Sequence, residues 1–189
     1  MEPTAILSMR QKFYEFSPHA CESRGSSAAF DNKIMNLYDE FFSIIKKLNE
    51  ANIQYAVVGG IALSFHTQPR YTKDIDLLLL AEDIDDLKSI LKKMGYTFEA
   101  NPWTFKNTNI ILHRLTKIEG EDSLTIDLLV GNEERHKEII KNAVVEETEY
   151  GLTCIASRED LIWMKGFRNS KQDIADIEAL KNDKDTESS

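Results

Sequence analysis

Hydrophobic and polar positions follow two periods along the chain, and these periods predict a series of helices and strands. After Asp31, a suitable N-cap, apolar residues recur every three or four positions and predict an amphipathic helix over 32–50. Shorter runs rich in β-branched and aromatic residues predict buried strands. Further strands are predicted over 53–58, 74–80, 96–98, 109–116 and 124–130, and a hairpin over 144–145 and 152–155. Further helices are predicted over 61–66, 83–94, 132–142, 158–168 and 171–181. This order predicts an α+β fold, a mixed β-sheet flanked by helices with a C-terminal helical segment.

The same pattern suggests how the chain is divided. Residues 1–30 contain a short apolar segment followed by a stretch with Ser and Gly, so we expect a flexible or loosely docked arm. Residues 31–156 should form the core, and 157–182 should form helices packed on it. The polar residues 183–189 are predicted to be a disordered tail.

Composition narrows the class of protein. The 189 residues, of which 42% are apolar, suit one globular domain. The net charge of −9 argues against a broad basic surface for nucleic acid, although it leaves room for a local basic patch. Cys21 and Cys154 are too isolated to predict a disulfide framework or a zinc site. Such cysteine usage is simplest to reconcile with a reducing cytoplasm, and because no apolar run reaches about 18 residues we expect a soluble protein without a membrane helix.

Two carboxylates inside an apolar strand are the first sign of chemistry. Asp74 and Asp76 lie two residues apart, so a strand places both on one face. Such a pair is costly unless a cation is shared between them, and Mg²⁺ is the divalent ion that best combines carboxylates with substrate phosphates. Asp127, in a later apolar strand, is a third candidate. Beside the first pair it would either complete a two-metal clamp or accept the proton of an attacking hydroxyl.

A glycine turn and a basic segment lie close to these carboxylates in the sequence. Gly59-Gly60 joins a strand to a helix, where backbone N–H groups without nearby Cβ atoms bind phosphate. Arg70, Thr72 and Lys73 come just before Asp74. These residues are therefore candidates for binding a nucleoside triphosphate, although Arg70 and Lys73 alone are equally typical of solvated loop charges.

Together these residues resemble the nucleotidyltransferase superfamily, which includes polymerase beta, tRNA nucleotidyltransferases and antibiotic nucleotidyltransferases. The segment VVGGIALSFHTQPRYTKDIDLLL is more narrowly similar to AbiEii-type nucleotidyltransferases of bacterial toxin–antitoxin systems. Those proteins share a Gly-Gly turn, an Arg-x-Thr-x-Asp-h-Asp segment and a third acidic strand. The resemblance covers roughly residues 50–180 and implies the nucleotidyltransferase fold.

The resemblance also implies roles for the C-terminal helices. Lys165 and Arg168 correspond to phosphate ligands, and Asp173 and Asp176 to residues that brace the helices. The alternative for the two cations is a plain salt bridge with these carboxylates. Many superfamily members place Ser directly after the turn glycine, where this chain has Ile, so Ser64 one turn later is the candidate to replace it.

The activity implied is Mg²⁺-dependent transfer of a nucleoside monophosphate from an NTP to an acceptor hydroxyl. Asp74, Asp76 and Asp127 would be the catalytic and metal-binding residues. The acceptor implied is RNA, most specifically the end of a tRNA, and a cognate antitoxin protein would be the partner. The alternatives are an enzyme acting on a small antibiotic or a protein side chain, a catalytically silent binding or antitoxin member of the fold, and a structural domain with salt-bridged carboxylates.

Overall fold

A computed structural model describes residues 35–68, 70–105, 108–148, 150–168 and 170–182. The predicted arm over 1–30, the predicted cap Asp31 and the predicted tail over 183–189 lie outside the described residues. The helices are α1 (Leu37–Ala51), α2 (Gly59–His66), α3 (Ile84–Lys93), α4 (Glu134–Lys141), α5 (Arg158–Gly166) and α6 (Lys171–Asn182). The strands are β1 (Tyr55–Val58), β2 (Asp74–Leu79), β3 (Tyr96–Glu99), β4 (Trp103–Thr104), β5 (Ile111–Glu119), β6 (Asp122–Val130), β7 (Val144–Thr148) and β8 (Gly151–Ile155).

These strands form one mixed sheet in the order β3-β5-β6-β2-β1-β8-β7. Strand β4 pairs with the first two residues of β5, Ile111 and Leu112. Strand β2 is parallel to β6 and antiparallel to β1, while β1 is parallel to β8. Helix α1 packs against β8 and β2, α2 packs against β1, β2 and α5, and α6 packs against α5. The predicted mixed sheet flanked by helices is confirmed.

The centre of the sheet explains why β1 and β2 read as apolar runs. All four residues of β1 are buried, and Ile75 and Leu77 of β2 are fully buried. Asp74 and Asp76 lie on the opposite face of β2, as the alternation of side chains along a strand requires. One face of the strand thus belongs to the core, and the other is available for a site.

Several element ends differ from the predicted ones. Helix α1 begins at Leu37 and not at 32, because the Asn36 side chain accepts hydrogen bonds from the backbone N–H groups of Tyr38 (2.9 Å) and Asp39 (3.4 Å). Helix α2 begins at Gly59 itself, so the predicted glycine turn is the first turn of the helix. The two-residue strand β4 was not predicted, since so short a run has no detectable period.

Among the described residues, no helix combines the length and the apolar character needed to cross a bilayer.

Candidate active site

Three carboxylates meet on one face of the sheet. In the parallel pair β2 and β6, Asp76 lies directly opposite Asp127, and Asp74 lies opposite Thr125. Neighbouring strands are about 4.8 Å apart, and residues in register point to the same side. The fold therefore brings Asp127 next to the Asp74 and Asp76 pair, as the predicted site requires.

Gly59 is the residue on which the Asp76 carboxylate rests. A Cβ atom at position 59 would lie 2.0 Å from Asp76 Oδ2, and the backbone φ of Gly59 is +66°, in the left-handed region. Gly60 is similarly close to Thr72, whose Oγ1 would lie 2.5 Å from an added Cβ. The two glycines thus allow β2 and the segment before it to pack directly on the first turn of α2.

The carboxylates of Asp74 and Asp76 have no hydrogen-bond or ion-pair partner in the part of the chain that the structure describes. Burial, followed by the charges of Asp127 and Asp74, raises the pKa of Asp76 to about 7, although Lys165 and Arg168 oppose the shift. Burial and the charge of Asp127 likewise raise the pKa of Asp74, against the effects of Arg114 and Lys73. A bound cation would stabilise the charged form of two partly or fully buried carboxylates that lack such partners.

The raised pKa of Asp76 predicts how stability depends on pH. Because the pKa in the folded protein, about 7, lies above the usual 3.8, the folded state holds more protons between these values. The free energy of unfolding of the metal-free protein should fall as the pH rises through this window, with a slope of at most about 1.4 kcal/mol per pH unit from this group. Urea unfolding in EDTA should show a shallower fall for Asp76→Asn. Equal slopes in the two proteins would contradict the shift.

Arg114 is a site residue that the sequence reasoning missed. It lies on β5 opposite Asp127, and its guanidinium donates two hydrogen bonds to that carboxylate, from Nε to Oδ1 at 2.7 Å and from Nη2 to Oδ2 at 2.6 Å. The guanidinium carbon also lies 5.6 Å from the centre of the Trp103 ring. Asp127 is thus held by a two-point ion pair, the strongest form of Arg–carboxylate contact.

A second wall of the site consists of cations held by helix α6. Asp176 accepts hydrogen bonds from Arg70 (3.0 and 2.8 Å), from Lys165 Nζ (2.7 Å) and from Gln172 (2.9 Å). Burial alone would raise the pKa of Asp176, but these hydrogen bonds outweigh it and lower the pKa. Arg70 and Asp176 are 106 residues apart in sequence, so this ion pair connects the loop before β2 to the last helix.

Asp173 holds the remaining cation of this wall. Arg168 donates to its two oxygens at 3.1 and 3.3 Å, and Ser170 Oγ donates at 2.6 Å. Lys165 Nζ lies 3.7 Å from Asp173 Oδ1, so it lies between both carboxylates. The salt bridges that were the alternative for Lys165 and Arg168 are therefore present, and they fix both cations beside the carboxylates.

Ser64 does not belong to this site. Its side chain is buried, and Oγ donates a 3.1 Å hydrogen bond to the Gly60 carbonyl within its own helix. Ser64 is not among the residues that line the cavity, because position 64 lies on the face of α2 that packs into the protein, so the structure gives no support to the prediction that it contacts the nucleotide. Without conservation or a known helix orientation, the sequence offered no signal for that face.

The remaining predicted residues line a single cavity of about 800 Å³ between the sheet and helices α5 and α6. They are Gly59, Gly60, Arg70, Thr72, Lys73, Asp74, Asp76, Asp127, Lys165 and Arg168. Lys73 is exposed, lies 5.8 Å from the Tyr71 ring and has no ion pair with another described residue. The cavity thus has carboxylates on its floor and cations on its helical side.

The donor set fits a hard divalent cation better than any other metal. The candidate ligands are carboxylate oxygens. Neither carboxylate oxygen of Asp74 or of Asp76 has a partner among the described residues. As the side chains stand, no three His, Cys, Asp or Glu residues of the described part converge on one point. Asp127 is instead turned to Arg114 by its two-point contact.

Two solved structures have a similar architecture. The antibiotic-resistance factor ANT(2'')-Ia, in its solution structure, aligns with a TM-score of 0.51 and 18% identity over 77% of this chain and 84% of its own. TM1012 from Thermotoga maritima, named as a nucleotidyltransferase, aligns with a TM-score of 0.51 and 16% identity over 77% and 96%. At these identities the likeness concerns the fold alone, which is the nucleotidyltransferase fold.

The sequence assigns the chain to a family within this class. Residues 8–165 match the family described as "Uncharacterised nucleotidyltransferase". This chain belongs to that nucleotidyltransferase family. No curated protein is similar enough in sequence to count as a match.

Proposed function

We propose that this protein is a Mg²⁺-dependent nucleotidyltransferase that moves a nucleoside monophosphate from an NTP to an acceptor hydroxyl. One observation carries the proposal: Asp74 and Asp76, with no partners among the described residues, lie beside Gly59 on the floor of a cavity whose opposite wall is cationic. A purely structural role would leave these two carboxylates at a cost that no contact in the described part compensates.

Three groups of this chain would bind the triphosphate. Lys165 and Arg168 line the cavity and are hydrogen-bonded to Asp176 and Asp173 of α6, so they offer prepositioned donors to the phosphates. Lys73 adds an exposed ammonium from the loop before β2. The first turn of α2, which begins at Gly59, presents backbone N–H groups to the same space. These groups together bind and orient the triphosphate.

Asp74 and Asp76 would hold the metal ion. When bound, Mg²⁺ neutralises phosphate charge and aligns the α-phosphorus for in-line attack with pyrophosphate as the leaving group. Asp127, next to Asp76, either completes the metal site or accepts the proton of the attacking hydroxyl. The contact of Arg114 holds Asp127 in position, and the contact with Asp176 holds Lys165.

For the acceptor we propose RNA, with the end of a tRNA as the specific target, in a cytoplasmic toxin–antitoxin system with a cognate antitoxin protein. Support comes from the similarity of the segment from Val57 to Leu79 to AbiEii-type nucleotidyltransferases. Lys73, which is exposed and has no ion pair with another described residue, supplies a local positive charge at the cavity despite the net charge of −9.

A small-molecule acceptor is the second candidate. It is favoured by the same net charge of −9, which is unfavourable for a broad RNA surface, and by a cavity of about 800 Å³. The antibiotic-resistance factor ANT(2'')-Ia shares the fold. Transfer to a protein side chain belongs to the same test.

The experiment offers the pure protein Mg²⁺ and each of the four α-³²P-labelled NTPs. Total tRNA, a panel of aminoglycosides and the protein itself are supplied in turn as acceptors. We expect labelled tRNA. Label on an aminoglycoside or on protein would instead support the second candidate, and no transfer together with no NTP binding would contradict the enzymatic proposal and favour a silent binding member of the fold.

A further inference from the structure

Arg114 occupies the position where a cation is needed. Its two hydrogen bonds take one lone pair from each oxygen of Asp127, whose side chain is only 9% exposed. A carboxylate so buried requires compensation, and Arg114 is the only ion-pair partner of Asp127 among the described residues. In the metal-free protein this guanidinium therefore does part of what a divalent ion would do.

The contact between Arg114 and Asp127 also opposes the binding of a metal ion by Asp127. Asp127 lies in register with Asp76, so a cation shared by Asp74 and Asp76 would lie within reach of Asp127. Its carboxylate, however, is oriented by the two-point contact, and no three acidic side chains of the described part converge as they stand. Arg114 takes one lone pair of each oxygen and fixes the orientation of the carboxylate, so Asp127 can turn toward such a site only if the Arg114 guanidinium shifts.

Arg114 is placed so that it can shift. Its side chain is 40% exposed, in contrast to the buried carboxylate. The Trp103 ring, on the short strand β4, already lies 5.6 Å from the guanidinium carbon, so this favourable contact does not depend on the hydrogen bonds to Asp127. Movement of Arg114 toward solvent thus leaves no buried charge behind, provided that another cation takes its place at Asp127.

We propose that Arg114 is a resident counter-cation that a divalent metal ion must displace from Asp127, so that competition with Arg114 sets the metal affinity of the site. This inference rests on the proposed metal-dependent function and adds a positioning residue to it. Arg114 pairs with the buried Asp127 carboxylate in the absence of metal, and it weakens metal binding in return.

The test measures binding of MgCl₂ and of MnCl₂, each alone, to the full chain by isothermal titration calorimetry. Arg114→Met should bind both ions at least about tenfold more tightly than the wild type, because the charged hydrogen bonds to Asp127 no longer have to be broken. The metal-free variant should be less stable than the wild type, and millimolar Mg²⁺ should restore much of that loss.

Arg135→Met is the matched control. Arg135 also pairs with a buried carboxylate, Asp160, has similar exposure (37% for Arg135, 6% for Asp160), and lies 5.3 Å from a tryptophan ring, that of Trp163. It does not line the cavity. Its removal should cost similar stability and leave the affinity for both ions unchanged.

Affinity of Arg114→Met that is weaker than that of the wild type, or equal to it within about twofold, would overturn the proposal. If Arg114→Met does not fold, the Nε–Hε resonance of Arg114 in the wild type answers the same question, with Arg114→Lys used for its assignment. The chemical shift of that resonance should change during a Mg²⁺ titration with the same midpoint as Mg²⁺ binding. An unchanged chemical shift when Mg²⁺ is bound would overturn the proposal. No binding of either ion to the wild type would contradict the metal-dependent function itself, whereas binding that is indifferent to Arg114 contradicts only this inference.

Discussion

Asp76→Asn should lower the rate of nucleotidyl transfer by at least about 10³-fold, equivalent to about 4 kcal/mol of transition-state stabilisation. The substitution keeps the size of the side chain and removes the negative charge that would bind the cation. It also removes a carboxylate whose pKa burial and its acidic neighbours raise to about 7. The metal-free variant should therefore be at least as stable as the wild type at pH 8, so lost activity is not explained by unfolding. Label transfer under saturating NTP measures the effect.

Asp86→Asn is the control for this substitution. Asp86 lies exposed on α3 and does not line the cavity, so the same change of charge should leave transfer unaltered. Activity of Asp76→Asn within about tenfold of the wild type would contradict a direct role for this carboxylate, since loss of a metal ligand costs several kcal/mol.

Gly59→Ala should reduce transfer by at least about 10²-fold through displacement of Asp76. The new methyl would lie 2.0 Å from Asp76 Oδ2, a distance that real atoms do not adopt, and the backbone at φ +66° opposes any side chain. We expect a loss of stability of more than about 1–2 kcal/mol, because the clash adds to the left-handed strain. Transfer rates and urea unfolding measure the two effects.

Gly120→Ala separates these two causes. Gly120 also has a positive φ, +62°, but an added Cβ there would have no atom within 4 Å. Gly120→Ala should therefore lose only the stability that the left-handed backbone costs, and it should keep full activity. If Gly59→Ala behaves like Gly120→Ala in both measurements, the contact between Gly59 and Asp76 does not position the carboxylate.

The side-chain alternation of a strand was sufficient to predict that Asp74 and Asp76 share a face. The place of Asp127 was not predictable in the same way. It depends on β2 and β6 being parallel neighbours, which is a pairing between residues about fifty positions apart. A sequence pattern shows that two runs are strands, whereas their order in the sheet follows from the packing of the whole domain.

Arg114 was predictable in principle. The turn between β5 and β6 pairs Glu119 with Asp122, and counting back along both strands from this turn places Arg114 opposite Asp127. The polar segment Glu119 to Asp122, between the predicted strands 109–116 and 124–130, is typical of a turn, so the register was available from the sequence. Arg114 was overlooked because a single Arg in a strand is an ordinary exposed residue until its partner is identified.

The contact of Arg70 with Asp176 and the burial of Ser64 had no such local signal. The first joins residues on separate elements, and the second depends on which face of α2 packs inward. Resemblance to a family supplied the roles of Lys165 and Arg168 beside Asp173 and Asp176, and the ion pairs among them are present. Lys165 lies on α5, Arg168 follows the end of that helix, and Asp173 and Asp176 lie on α6, so the short connection between two packed helices brings these charges together.

The central claim is that Asp74 and Asp76 hold a divalent cation with an NTP in the cavity beside them. It is tested most directly by a crystal structure of the protein soaked with Mn²⁺ and a non-hydrolysable NTP analogue. We predict an anomalous peak at about 2 Å from oxygens of both carboxylates, with the triphosphate between Gly59 and Lys165. An ordered nucleotide elsewhere on the molecule, or no anomalous peak at Asp74 and Asp76 under saturating Mn²⁺, would contradict the account.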